Sequence, residues 1–255
     1  MVGTVLVTGA TGTLGREVVR LLVARGVAVR GLSRQVRDGG DGVEWVVGDL
    51  VGGAGVAEAM AGVEVVVDCA TTQRKADVAG VRTLVARARE AGVRHLVYVS
   101  IVGIDRVPFA YYATKLACER VVRESGLGWT VLRATQFHDL VLKVFDASVK
   151  LPVLPVLSGV ACQPVDVREV AAAVADLAGE EPAGFAPEVG GPQVRSYREL
   201  AEAYLRAAGR RRLLLPLPLP GATGRGLRAG GNLTPDRAVG RGTFEEALER
   251  RFGGR

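Results

Sequence analysis

Short apolar runs alternate with amphipathic segments of helical length from residue 1 to about residue 135. The runs are rich in valine and predict strands at 4–8, 28–33, 43–47, 63–68, 95–100 and 129–133. The segments between them predict helices near 13–25, 54–61, 77–91 and 109–125. Because strands that alternate with helices build βαβ units, the pattern predicts an α/β fold with a doubly wound parallel sheet.

The pattern changes after about residue 135, where proline-bearing loops and two predicted helices follow, near 166–178 and 196–208. Ser196 followed by Glu199 predicts a capping box at the start of the second helix. The stretch 221–231 is rich in glycine and arginine and predicts a mobile loop. We expect a single domain over residues 1–255, with a core at about 1–135 and a small C-terminal lobe at about 136–255.

Charge and cysteine usage narrow the class of protein. The net charge is +6, but the arginines are scattered and only residues 210–212 form a dense run, which favours a solvated surface over nucleic acid binding. Cys69, Cys118 and Cys162 lack CxxC spacing, which argues against a disulfide framework or a metal site. No basic leader opens the chain, and no apolar stretch approaches the roughly 20 residues of a membrane span. We expect a cytoplasmic protein without a metal, nucleic acid or membrane partner, whereas a homo-oligomer is left open.

Three evenly spaced glycines follow the first predicted strand. Gly9, Gly12 and Gly15 come directly after the apolar strand 4–8 and open the helix near 13–25. In that context the backbone N–H groups and the helix N-terminus face a pyrophosphate. The pattern predicts a dinucleotide site on the turn Gly9, Thr11, Gly12, Thr13, Leu14 and Gly15. The alternative is a turn that needs glycine only for its positive φ.

The end of the second predicted strand bears on the choice of cofactor. An acidic residue there binds the ribose 2′-OH of NAD, whereas a basic one suits the 2′-phosphate of NADP. This chain has Ser33 and Arg34, and the first carboxylate after them is Asp38. Because guanidinium binds phosphate in a bidentate manner, we expect NADP(H) to be preferred without NAD(H) being excluded. Arg34 as an ordinary surface arginine is the alternative.

Further motifs carry a family resemblance. They are TGATGTLG at 8–15, Gly48-Asp49-Leu50, Cys69-Ala70, VYVS at 97–100, YYATK at 111–115, LRATQF at 132–137, VDVREVA at 165–171 and VGGP at 189–192. With them the chain resembles the short-chain dehydrogenase/reductase family, in its atypical, NmrA-like branch. The resemblance implies a Rossmann fold whose core binds the nucleotide and whose C-terminal lobe forms the substrate pocket. That branch holds quinone and flavonoid-type reductases as well as NADP(H) sensors that do no chemistry.

The resemblance also implies cofactor contacts beyond the glycine turn. It places Asp49 and Leu50 beside the adenine, Cys69, Ala70 and Thr71 along the cofactor groove, and Thr135 and Phe137 at the nicotinamide end. Simpler readings remain for two of these residues. Asp49 would serve equally as a helix cap, and Cys69 as a small buried apolar residue.

Tyr111 and Lys115 are the candidates for chemistry, since two residues four apart share one face of a helix. The resemblance makes Tyr111 the proton donor to a carbonyl oxygen and makes Lys115 both a ribose ligand and the charge that lowers the phenol pKa. Ser100 would contact the substrate, although Ile101 stands where the family has a second serine. Ser100 as a strand-end cap is the alternative. His138 is a further candidate donor, with helix capping as its alternative.

These residues predict an NADP(H)-dependent oxidoreductase that transfers a hydride to a carbonyl, quinone or enone of a small substrate. The apolar stretches 153–157 and 213–219 favour an apolar substrate, although either would suit a core or an interface. The alternative function is a non-catalytic NADP(H)-binding sensor or scaffold, which Ile101 in place of the second serine favours.

Overall fold

A computed structural model describes residues 3–38 and 42–254. Its strands are β1 Thr4–Thr8, β2 Val29–Ser33, β3 Val43–Val47, β4 Val63–Asp68, β5 His95–Ile101, β6 Gly128–Ala134, β7 Val153–Leu157, β8 Ala161–Cys162, β9 Gly184–Phe185, β10 Arg195–Ser196 and β11 Leu213–Leu217. Its α-helices are α1 Thr13–Ala24, α2 Val56–Met60, α3 Ala76–Glu90, α4 Ala110–Arg123, α5 His138–Ser148, α6 Val167–Ala178, α7 Tyr197–Ala207, α8 Gly221–Arg228 and α9 Phe244–Phe252.

The chain divides into two compact units. The first comprises Met1–Ser100, Ala110–Arg133 and Val170–Pro187, and the second comprises Ile101–Phe109, Ala134–Glu169 and Glu188–Arg255. The chain therefore passes between the units several times. One of these passages, after Arg133, lies close to the boundary predicted near residue 135. The single domain over residues 1–255 stays a prediction.

Within residues 3–38 and 42–254, the sheet of the first unit has seven strands in the order β3-β2-β1-β4-β5-β6-β9. Strand β1 runs parallel to both of its neighbours, with Val5 opposite Val29 on one side and Val65 on the other. The order 3-2-1-4-5-6 is that of the doubly wound dinucleotide-binding fold, which confirms the predicted fold class. In such sheets ligands bind beyond the carboxyl ends of the strands where the order reverses, here at β1 and β4.

The central strands are buried on both faces. The side chains of Val5, Leu6 and Val7 on β1 are 0% exposed, as are those of Val65–Val67 on β4 and of Leu96 and Val97 on β5. Covering both faces of a parallel sheet explains why these strands read as continuous apolar runs. The burial makes the sheet a rigid support for the loops that follow β1, β4 and β5.

The second unit has its own apolar core, which includes Phe145, Leu154, Leu200 and Phe252. Two small sheets accompany it, one of β8 with β10 antiparallel and one of β7 with β11 parallel. The predicted capping box is present, because Ser196 Oγ accepts from the backbone N–H of Glu199. No helix within 3–38 and 42–254 has the length and apolar character needed to span a bilayer.

The prediction of a mobile loop at 221–231 is wrong, because Gly221–Arg228 forms helix α8. Thr223 Oγ1 donates to the carbonyl of Pro108 at 2.5 Å, and Arg228 donates to the carbonyl of Leu219 at 2.9 Å. Such contacts within the second unit outweigh the low helix propensity of glycine. In the apolar stretch 213–219, Leu213, Leu215 and Leu217 are exposed, whereas Leu214 packs against the core of the second unit.

Candidate active site

The three glycines of the turn after β1 occur there for different steric reasons. Gly9 has φ +61°, and a Cβ on it would lie 2.7 Å from the carbonyl carbon of Cys69. A Cβ on Gly15 would lie 2.1 Å from the carbonyl oxygen of Gly9. Gly12 differs, because a Cβ there would meet only that same oxygen, at 3.1 Å. Gly9 and Gly15 are needed for packing, whereas Gly12 keeps open the space beside the start of α1.

The N-terminus of α1 is suited to an anion. Gly12 is its N-cap with no side-chain cap, and the first turn of the helix contains no acidic residue. Uncapped N–H groups and the helix dipole then favour a negatively charged ligand. Thr11 and Gly12 are exposed at this point. The backbone of the turn therefore fits the pyrophosphate of a dinucleotide.

The two arginines in the turn after β2 lie in different environments. Ser33 is buried, and its Oγ accepts from the N–H of Gln35 at 3.2 Å and from Arg37 Nε at 3.3 Å. The Arg37 guanidinium lies 5.4 Å from the centre of the Trp45 ring. Arg34 is exposed, with no hydrogen bond or ion pair to the residues that the structure describes. Arg37 is thus held in place, and Arg34 is available for a ligand.

The Asp49 carboxylate accepts hydrogen bonds from the backbone of the turn that follows it. It accepts from the N–H of Val51 at 3.2 Å and from the N–H of Gly52 at 2.9 Å. The alternative of a helix cap is wrong, because the N-cap of α2 is Gly55. Asp49 and Leu50 are both half-buried. Their place beside the adenine stays a prediction.

Sequence reasoning missed Asp68 at the end of β4. Its Oδ1 accepts from Thr8 Oγ1 at 2.5 Å and from the N–H of Ala70 at 3.1 Å, whereas its buried Oδ2 has no partner among the described residues. Burial raises the pKa of this carboxyl group. Because Thr8 ends β1 and Asp68 ends β4, the bond joins the two strands where the sheet order reverses. A lone aspartate after the three valines 65–67 was the available signal.

Cys69 and Ala70 follow Asp68 and are half-buried. Burial raises the pKa of the Cys69 thiol, with the neighbouring Asp68 carboxylate as a second cause. A reactive thiolate is therefore disfavoured at this position. The proximity of Gly9 to the Cys69 backbone places both residues beside the glycine turn.

Lys115 is buried, although it was predicted as a catalytic residue. Its Nζ donates to the carbonyl of Val99 at 2.7 Å and lies 4.1 Å from the centre of the Tyr98 ring. Burial lowers the pKa of Lys115, and the Asp68 carboxylate opposes that shift. The side chain is thus anchored against β5.

Tyr111 is half-buried on α4, and its hydroxyl lies 3.0 Å from Thr71 Oγ1. Burial raises the pKa of the Tyr111 phenol, and the negative charge of the Asp77 carboxylate raises it further. The ammonium of Lys115 lies against Val99 and Tyr98. The lowering of the phenol pKa by Lys115 stays a prediction.

Ser100 lies inside β5, which continues to Ile101, so the alternative of a strand-end cap is wrong. Its Oγ is buried and has no hydrogen-bond partner within 3–38 and 42–254. A buried hydroxyl without a partner is uncommon and costly. The contact between Ser100 and the substrate stays a prediction.

Three further predicted residues belong to the second unit. Thr135 Oγ1 donates to the carbonyl of Gln163 at 2.6 Å. Phe137, not His138, is the N-cap of α5, so the capping role suggested for His138 is wrong. His138 Nε2 lies 3.1 Å from the carbonyl oxygen of Pro164, and burial lowers the pKa of this histidine. The contacts of Thr135, Phe137 and His138 with cofactor or substrate stay predictions.

A family model described as NAD(P)H-binding matches residues 9–181. The chain belongs to this NAD(P)H-binding family. A (4-alkanoyl-5-oxo-2,5-dihydrofuran-3-yl)methyl phosphate reductase of Streptomyces griseus is 36% identical over 217 residues, which are 81% of this chain and 74% of that protein. Photosystem II assembly factor Ycf39 of Cyanophora paradoxa is 30% identical over 149 residues, which are 53% of this chain and 46% of that factor.

The fold is also similar to that of NADPH-dependent quinone oxidoreductase QOR2 of Escherichia coli, solved with NADPH. The match covers 97% of this chain and 99% of the other, with a TM-score of 0.81 and 20% identity. These findings confirm the predicted family, an atypical short-chain dehydrogenase/reductase with a Rossmann fold, and its nicotinamide cofactor. The reaction class of an NAD(P)H-dependent oxidoreductase is likewise confirmed.

Proposed function

We propose that this oxidoreductase uses NADPH to reduce the carbonyl, quinone or enone of a small, apolar molecule, with Tyr111 as the proton donor. One observation carries the proposal. The backbone of Cys69 and Ala70 lies so close to Gly9 that a Cβ on Gly9 would be 2.7 and 2.8 Å from it, and the next residue, Thr71, contacts the Tyr111 hydroxyl at 3.0 Å. The Tyr111 phenol is thus connected, through Thr71 and the backbone of residues 69–70, to the turn where we predict the pyrophosphate. This turn lies at the edge of the sheet where ligands bind.

The described contacts support the remaining roles in this proposal. When bound, the cofactor supplies a hydride, and with it two electrons, to the electrophilic carbon of the substrate. Tyr111 gives its proton to the oxygen that takes up the displaced π electrons, and regains a proton from solvent. The buried Ser100 hydroxyl donates to that same oxygen. Because an ammonium has three hydrogens, Lys115 retains donors for the nicotinamide ribose beyond its bond to Val99.

Substrate class and setting belong to the same proposal. The furanone phosphate named for the Streptomyces relative and the quinone named for the Escherichia coli structure are both electrophilic oxo compounds. These names support our proposal of a small electrophilic oxo compound as the substrate of the present chain. A cytoplasmic location, a homo-oligomer and the absence of a nucleic acid partner remain predictions from the sequence.

The first experiment is an assay of NADPH oxidation, followed by absorbance, against menadione, 1,4-benzoquinone, aromatic ketones and a 5-oxo-2,5-dihydrofuran. We expect turnover of at least one of these compounds. NADPH binding at micromolar strength with no turnover of any compound would contradict the proposal. That outcome would favour the sensor or scaffold function, for which the partial match to an assembly factor provides the precedent.

Changing Arg34 to aspartate tests the preference for NADP(H). The substitution removes an exposed guanidinium and places a negative charge where we predict the 2′-phosphate, so NADPH affinity should fall roughly 10- to 100-fold. NADH affinity should change little, which inverts the preference. Titration of each cofactor against intrinsic fluorescence measures both constants.

The matched control is Arg20→Asp, which makes the same charge change on an exposed arginine of α1 that pairs with Glu17. It should leave the ratio of the two affinities near that of the parent protein. Equal losses of NADPH and NADH affinity in Arg34→Asp would show that Arg34 is not at the phosphate.

A further inference from the structure

The loop after β4 carries a hydrogen-bond chain that ends on Tyr111. Asp77, which is 8% exposed in the first turn of α3, accepts from Thr71 Oγ1 at 2.7 Å through Oδ2. Its Oδ1 accepts from the N–H of Thr72 at 2.8 Å and from Thr72 Oγ1 at 2.5 Å. Thr71 Oγ1 also lies 3.0 Å from the Tyr111 hydroxyl. A carboxylate, a hydroxyl and a phenol therefore follow one another within hydrogen-bond distance.

The hydrogen bonds among Asp77, Thr71 and Tyr111 have a defined direction. A threonine hydroxyl has one hydrogen and two acceptor positions. The hydrogen of Thr71 goes to Asp77, and one acceptor position takes the N–H of Gln73 at 3.1 Å. The remaining position faces Tyr111, so Tyr111 is the donor in that contact. Thr71 consequently has no hydrogen with which to stabilise a phenolate at Tyr111.

The backbone of the loop is strained to hold this arrangement. Gln73, whose N–H reaches Thr71, has φ +60°, a conformation that residues other than glycine seldom adopt. Residues held in such conformations cluster at functional sites, where the surrounding contacts over-determine them. Attachment of the loop to the first turn of α3 explains the bonds from Thr72 to Asp77. It does not explain the contact between Thr71 and Tyr111.

We propose that Asp77 and Thr71 are positioning residues for Tyr111. Asp77 accepts a hydrogen bond from the Thr71 hydroxyl, and Thr71 accepts one from the Tyr111 hydroxyl. Tyr111 thereby stays in the protonated form that reduction requires. The inference rests on the proposed function, in which Tyr111 is the proton donor. With its lysine neighbour bonded to Val99 on β5, Tyr111 is thus held as an acid for the reduction step.

Other titratable groups act on Tyr111 within the first unit. They are Asp77 on α3, Cys118 on α4 and Tyr98 on β5. Removing the Asp77 charge should lower the pKa of Tyr111, because a nearby negative charge disfavours the phenolate. A phenol with a lower pKa deprotonates earlier as pH rises, so activity that needs the phenol should be lost at lower pH.

The deciding experiment is a tyrosinate absorbance titration of Asp77→Asn. The parent protein and each variant are titrated with and without the additional change Tyr111→Phe. The difference between the two curves isolates the titration of Tyr111 among the five tyrosines. We expect the Tyr111 midpoint to fall by about one pH unit in Asp77→Asn. Thr72→Val is the matched control, since it removes a donor to the same carboxylate but no atom that contacts Tyr111, and its midpoint should stay near the parent value. An unchanged midpoint in a folded Asp77→Asn protein would overturn the inference.

A second pair of variants serves if Asp77→Asn does not fold. Thr71→Val removes the acceptor for the Tyr111 hydrogen while keeping the shape of the side chain, and kcat for reduction should fall about tenfold at unchanged KM. Thr71→Ser retains the hydroxyl and should keep kcat near the parent value. Equal kcat in the two variants would contradict the inference. If Tyr111→Phe turns over normally while the titration moves as expected, the proposed proton donor is wrong and the link from Asp77 to Tyr111 stands.

Discussion

Replacing Tyr111 with phenylalanine is expected to lower kcat on the order of 10²–10⁴-fold, because general acid catalysis contributes that much when the donor is removed. NADPH affinity should stay nearly unchanged, since the assigned role of the hydroxyl is to donate a proton. The loss should appear equally in kcat and in kcat/KM, as expected for an interaction made only in the transition state. Steady-state kinetics on the substrate found by screening, together with NADPH titration, measures both effects.

The neighbouring tyrosine provides the control for this experiment. Tyr112 lies on the same helix but is buried, 9% exposed, whereas Tyr111 is half-buried with its hydroxyl at Thr71. Tyr112→Phe should therefore leave kcat close to the parent value. If Tyr111→Phe also keeps parent turnover, Tyr111 is a packing residue. The proton would then come from water or from another group, with His138 the remaining sequence candidate.

Replacing Gly12 with valine is expected to weaken both NADPH and NADH at least about a hundredfold without unfolding the protein. The backbone at Gly12, with φ −76° and ψ 175°, is extended and accessible to any residue. A Cβ there would meet only the carbonyl oxygen of Gly9, so the fold has room for it. The branched side chain would instead fill the approach of the pyrophosphate to the start of α1.

Gly15 supplies the contrast that separates binding from folding. A Cβ on Gly15 would lie 2.1 Å from the carbonyl oxygen of Gly9, so Gly15→Ala should lower the melting temperature as well as cofactor affinity. Gly12→Val should melt near the parent temperature. Thermal melts with and without NADPH measure this, since a bound ligand raises the apparent stability. NADPH affinity retained in Gly12→Val would place the cofactor elsewhere.

Much of the first unit could be predicted because its signals are local. The valine runs, the glycine turn and the helical periods each depend on neighbouring residues, and the strand ends fell within one residue of those observed, as at Ala28 against Val29. Helix α8 was missed for the opposite reason. Its sequence is poor in helix formers, and a contact between Thr223 and Pro108, which are 115 residues apart in the chain, helps to stabilise it.

The same distinction between local signals and long-range contacts applies to the candidate site. Spacing alone placed Tyr111 and Lys115 on one helix and Gly9, Gly12 and Gly15 in one turn, because four-residue and three-residue separations have fixed geometry. Which neighbour each side chain binds depends instead on segments far apart in sequence. Only the packed structure brings the β4 loop to Tyr111, turns Lys115 to Val99 and places Asp77 one hydroxyl from the phenol. Since hydrogen-bond partners and charges set a pKa, the acidity of Tyr111 could not be read from the order of residues.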